Sequence, residues 1–252
     1  MKDVNELFRD RDIYIEECNG DYIGETTKED YMEQIRYIIE FQNRLMGYRE
    51  NIIPRLSSSI GKEVENFKVS LKKLKRGINN LEDNRDSSIN LYIKENKEKL
   101  ISRSEKAIEL VTSDEYYKII KRSMARYEVC LGKCDRSNLI VSENKIKIAS
   151  MKYMSYNLIE NDIYSYLRKL KKRRIKLDYL DLINLFIDKS NLDKASLKYI
   201  IGLLSFPSEE VKLLQRFSGG RLDISSEELI IILEREKRIN AEIVGSFEGV
   251  IE

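Results

Sequence analysis

Apolar residues recur at three- and four-residue intervals through most of this chain, and one interruption near its middle limits the folds open to it. Residues 30–48 place Tyr31, Ile35, Ile38, Ile39, Leu45 and Met46 mainly on one helical stripe. Thr26 and Thr27 are suited to cap that helix, and Pro54 limits its extension. Residues 62–81 repeat the stripe through Val64, Phe67, Leu71, Leu74 and Ile78; 88–111 and 115–126 supply further amphipathic helices. The period then shortens. Residues 128–131, 138–141 and 146–149 are β-like runs, the last two joined across 142–145 as a hairpin. Helical spacing returns over 161–171, 177–188, 194–205, 209–217 and 227–244, with Pro207 ending one helix and Gly219-Gly220 marking a break. Ile13-Tyr14-Ile15 reads as a short strand followed by a turn at Asn19-Gly20-Asp21. The predicted class is mainly α, with a short loop segment and a small β-hairpin.

Composition removes several classes of activity. Histidine and tryptophan are absent, so the commonest general base and the usual nitrogen ligand of zinc are missing. Three cysteines, Cys18, Cys130 and Cys134, form no metal-ligand pattern or disulfide framework. With 45 basic and 43 acidic residues, the field around the chain is too weak to predict binding to nucleic acid. No stretch is apolar enough to span a bilayer, and residues 1–12 are charged rather than signal-like, so a cytoplasmic site of synthesis is expected. No cofactor or metal is predicted.

The segment Cys130-Leu131-Gly132-Lys133-Cys134-Asp135-Arg136-Ser137-Asn138-Leu139, followed by the hairpin and Ile148-Ala149-Ser150-Met151-Lys152, has the order of a phosphotransfer loop. It resembles the C-terminal lobe of protein kinases and aminoglycoside phosphotransferases, whose pattern is H-x-D-x-x-x-x-N followed by an Asp after the hairpin. Asn138 matches; Leu131 replaces His, Lys133 replaces the first Asp and Ser150 the second. Asp162 falls where the lobe's structural Asp begins the next helix. Within that superfamily the chain resembles CotS-type spore coat proteins, through Ile38-Ile39-Glu40-Phe41-Gln42, Gly47-Tyr48 and the leucine-rich segment ending in Phe206-Pro207.

The resemblance implies that residues 29–252 are a single helical kinase C-lobe-like domain and that 1–28 are an N-terminal extension or hinge remnant. About 25 residues before the first long helix leave no room for a nucleotide-binding lobe of roughly 60–80 residues. It also implies failed chemistry. A lysine, with a reference pKa of about 10.4, does not accept a proton near neutrality, and a serine hydroxyl carries no charge for magnesium. The expectation is a pseudoenzyme, a structural or scaffolding spore coat protein or the partner of an active kinase relative. Two alternatives stand beside it: a phosphotransferase with displaced residues or a lobe supplied in trans, and an unrelated all-helical adaptor.

Other residues carry secondary readings. Lys133 and the run Arg168, Lys169, Lys171, Lys172, Arg173 and Arg174 are candidate contacts for an anion or partner, against a solvated helix end. Asp135 is offset by two residues from the position of a base. Cys130 and Cys134 are read as packing residues, with crosslinking as the rival. The band Leu229-Ile-Ile-Ile-Leu233 predicts burial on two sides of its helix or an interface, so a homo-oligomer stays open.

Overall fold

Two side chains fix where the first long helix begins. Thr27 accepts a hydrogen bond from the Asp30 amide while the Asp30 carboxylate accepts one from the Thr27 amide, a capping box that satisfies amides no helical carbonyl can reach. The computed structural model describes residues 2–18, 27–47, 52–53, 55–82 and 87–250. The turn expected at Asn19-Gly20-Asp21, and Thr26, Tyr48 and Pro54, lie outside the described residues. In chain order the elements are β1 (Lys2–Asp3), α1 (Val4–Arg9), β2 (Ile13–Ile15), α2 (Lys28–Leu45), β3 (Ile52–Ile53), α3 (Lys62–Glu82), α4 (Ser87–Val111) and α5 (Tyr116–Arg126). They continue with β4 (Val129–Cys130), β5 (Leu139–Ser142), β6 (Lys145–Ile148), β7 (Ser155–Tyr156), α6 (Glu160–Lys172), α7 (Tyr179–Lys189), α8 (Lys194–Ser205), α9 (Ser208–Ser218) and α10 (Ser226–Gly245). The class is mainly helical with small sheets, as the periodicity predicts.

The hairpin forms where it is expected, with Glu143 and Asn144 both at positive φ, the backbone a two-residue turn between twisted strands requires. Its third strand comes from far away in sequence. β2 pairs parallel with β6, Ile13 opposite Ile146, and Ile13, Leu139, Ile146 and Ile148 are buried. Arg44 at the end of α2 fastens this arrangement, donating to the carbonyls of Asp12 and Asn144 while pairing with Glu40.

The chain groups into two units, residues 1–60 with 114–200 and residues 61–113 with 201–252. In the first, α2 packs on α7 and the hairpin strand β5. Arg122 on α5 is shared by two fully buried carboxylates, bonding Glu128 through two nitrogens at 2.9 and 3.1 Å and reaching Glu160 at 2.8 Å, with Ser196 as a further acceptor. Burial pushes Glu160 above the ordinary glutamate range, and Arg122 opposes that rise.

In the second unit α3 packs between α4 and α9 through its stripe of Val64, Phe67, Leu71, Leu74 and Ile78. Phe67 stacks on Phe206, with ring centroids 4.1 Å apart. Helix α10 departs from expectation. Leu229 and Leu233 are buried while Ile231 is 67% exposed, so the 229–233 band buries one narrow stripe rather than two sides. A four-residue step returns to the same helical face and a two-residue step leaves it.

Replacing Arg122 with Met leaves two buried carboxylates without their cation. It should cost about 3–5 kcal/mol, measured as a lower urea midpoint at neutral pH. The gap from the unmodified protein should narrow in acid as those carboxylates take up protons.

Candidate functional site

The loop between β4 and β5 is held from beneath by a carboxylate. Asp162, in the first turn of α6 and fully buried, accepts hydrogen bonds from the backbone amides of Leu131 at 2.9 Å and Gly132 at 2.8 Å. Gly132 lies at φ +78°, and a Cβ there would meet the Tyr153 carbonyl oxygen at 2.7 Å, so only glycine fits. Gln42 from α2 donates to Asp162 and to the Ile159 carbonyl, and the Cys134 thiol also bonds Asp162. Burial raises the Asp162 pKa, and the amide, Gln42 and thiol hydrogen bonds oppose the rise.

The loop's far end is fixed in the same way. Gln34, fully buried on α2, donates from one nitrogen to the carbonyls of Cys134 and Leu139. Asn138 donates to the carbonyls of Lys133 at 2.8 Å and Ser150 at 3.1 Å, so the candidates at 133, 138 and 150 converge. Leu131 is fully buried; Lys133 and Ser150 are exposed. Asn138 Oδ1 is buried and has no hydrogen-bond partner among the described residues.

Asp135 is the carboxylate within this loop. Burial pushes its pKa up, but hydrogen bonds from Lys169 and Ser137 and the charges of Lys169 and Lys133 outweigh burial and hold it below the ordinary range. The Lys169 ammonium lies 2.7 Å from it. Lys169 thus reaches the loop, while Arg168, Lys171, Lys172, Arg173 and Arg174 occupy the last turns of α6 and its exit. Cys130 and Cys134 are free, buried thiols whose pKa values burial drives well up, which suits packing and not crosslinking.

The kinase-like pattern holds magnesium between the loop Asn and the Asp after the hairpin. Here a lysine stands at 133 and a serine at 150 where the pattern has its carboxylates, and no cluster of three or more His, Cys, Asp or Glu side chains able to hold a metal occurs among the described residues. These residues do not fit the ion.

No family model matches the sequence, and no curated protein does. The fold is similar to the crystal structure of an aminoglycoside phosphotransferase from Alicyclobacillus acidocaldarius subsp. acidocaldarius DSM 446, with a TM-score of 0.68 and 12% identity, covering 90% of this chain and 68% of that one. The fold is therefore kinase-like, and it has the loop, hairpin and following helix that an unrelated all-helical fold would lack. The expectation of a pseudoenzyme is corrected by the same finding. The architecture is one that carries an aminoglycoside phosphotransferase, and substitutions at 131, 133 and 150 change the site's chemistry without establishing that it has none.

Sequence reasoning placed Asp162 and the loop but missed Gln34 and the Lys169 contact. A signal for Gln34 was present, since Gln34, Ile38 and Gln42 share one face at four-residue spacing, and a glutamine on a buried stripe requires partners.

Lys169→Met should raise the Asp135 pKa, observed by NMR titration, and cost about 1–3 kcal/mol, less than a fully buried pair because Lys169 is partly exposed. A depressed carboxylate pKa stabilises above the unfolded value of 3.8 and loses that contribution as pH falls through the folded value. The stability difference should therefore be full at neutral pH and vanish in strong acid.

Proposed function

We propose that this chain is a phosphotransferase-type protein that takes a phosphate-bearing ligand on the exposed side of the 131–138 loop, with Lys133 supplying positive charge in place of a metal. The observation that carries the reading is the intact frame around the loop. Asp162 holds Leu131 and Gly132, and Asn138 ties Lys133 to Ser150, so an exposed lysine is presented from a rigid turn. A fixed loop backbone lowers the ordering cost of phosphate binding to that of the lysine side chain itself.

Phosphoryl transfer depends mainly on positioning and charge stabilisation, which a lysine can serve. In this reading a hydroxyl of the acceptor attacks the terminal phosphorus of a nucleoside triphosphate, the bond to the bridging oxygen breaks, and the diphosphate leaves. Lys133 opposes charge on the phosphoryl oxygens. Asp135, buried and bonded to Lys169 and Ser137, keeps the loop in shape, and the acceptor's proton passes to solvent. A lobe or side chain supplied by a protein partner would complete the donor site. The segments at 38–42 and 197–207 that resemble CotS-type proteins support a spore coat setting for that partnership.

The test is calorimetry of the full chain with ATP and with pyrophosphate, without and with magnesium, followed by phosphorus NMR of mixtures containing hydroxyl acceptors, an aminoglycoside among them. Lys133→Glu should weaken phosphate binding about tenfold or more. Phosphate affinity unchanged by Lys133→Glu would overturn the reading.

A further inference from the structure

The second unit contains a cavity of about 540 Å³ between α3, α4, α9 and α10, a size within the range of small-molecule sites. It is independent of the 131–138 loop and of the reading given to it. Most of its lining surface is apolar. Ile78, Ile93, Leu100, Leu214 and Leu233 supply the walls, and all five are buried in the unit's core.

Charged side chains border the cavity too, and they are matched to one another. Arg103 donates to both oxygens of the buried Glu210 carboxylate, at 3.0 and 2.8 Å. Lys237 donates to Glu234 at 3.0 Å and to the side-chain oxygen of Asn96 at 2.9 Å, while the Asn96 amide nitrogen donates to the Tyr92 carbonyl. Tyr92 bonds Glu234 as well. Burial and the carboxylates of Glu234 and Glu210 raise its pKa, so its hydroxyl stays protonated and neutral. Of the other charged lining residues, Lys97 is half-buried and engaged, and Glu98 and Lys99, of opposite sign, are exposed.

Such a lining offers a ligand's charge no free counter-charge. An anion would have to displace Glu210 from Arg103 or Glu234 from Lys237, and a cation would have to take the place of Arg103 or Lys237. Either exchange leaves a group of the wall without its partner, which is most costly at the buried Glu210. Loss of water from the ligand's own charge adds to that cost. We propose that this cavity binds an uncharged, mainly hydrocarbon small molecule. Ile93, Leu214 and Leu233 hold it by burial of apolar surface, and the closed pairing of Arg103 with Glu210 and of Lys237 with Glu234 selects for neutrality.

The experiment is methyl NMR of the full chain, labelled at isoleucine and leucine, titrated with benzyl alcohol, benzoate and benzylammonium, which share a ring and differ in charge. Benzyl alcohol should shift the methyls of Ile93, Leu214 and Leu233 along one saturable curve, and benzoate and benzylammonium should each bind about tenfold or more weakly. Lys237→Met takes the cation from Glu234 and should strengthen benzylammonium binding about fivefold or more without strengthening benzoate. Ala241→Trp, at an exposed position on the cavity wall, should abolish the benzyl alcohol shifts, with an unchanged urea midpoint to show that the variant folds. Charged ligands that bind as well as benzyl alcohol, no saturable shift with benzyl alcohol, benzylammonium binding indifferent to Lys237→Met, or shifts that survive Ala241→Trp would each overturn the proposal.

Discussion

A single buried carboxylate organises the candidate site. Among the described residues no cation pairs with Asp162, and its charge is answered by two backbone amides, a glutamine and a thiol. Each donor belongs to a group that must be placed before the loop can close: Leu131 and Gly132 after β4, Gln42 on α2, Cys134 within the loop. Desolvation of an ion is costly unless hydrogen bonds replace its water, so the carboxylate tolerates few loop conformations. Gly132 follows from this, since its amide can approach Asp162 only with positive φ and no Cβ against Tyr153.

The first unit repeats this reliance on buried polar groups. Arg122 bonds Glu128 and Glu160 together, and Gln34 bridges two loop carbonyls from the apolar face of α2. Such networks define a conformation sharply, because any displacement leaves a donor or acceptor unpaired. The second unit is built differently, from apolar stripes and the stacked rings of Phe67 and Phe206, with the buried Glu210 paired to a partly exposed Arg103.

Most helices were legible because each buries one face, and some carry their own boundary chemistry. Thr27 with Asp30, and Ser225 with Glu228, are capping boxes readable without knowing what the helix packs on. The hairpin was legible for the same local reason, its two-residue turn at Glu143 and Asn144. The order of loop, hairpin and Asp162 was legible through resemblance, and the similarity in fold to a phosphotransferase agrees with it. The inference from missing aspartates to a dead enzyme was not secure, since residue identity at template positions says nothing of groups brought in from elsewhere. Lys169, for example, stands 34 residues beyond Asp135 and governs its charge.

The sequence by itself determined the helical class, the sites of the caps and turns, and the identities at 131, 133, 138 and 150, because each rests on neighbours within a few residues. Tertiary structure alone decided that β2 joins the hairpin at β6, that Gln34 and Gln42 serve the loop, and that Asn138 draws Lys133 and Ser150 together. Those contacts join residues far apart in the chain, and side-chain periodicity records which face of an element is buried without naming its partner. A buried polar residue announces that partners exist; only the packed chain supplies them.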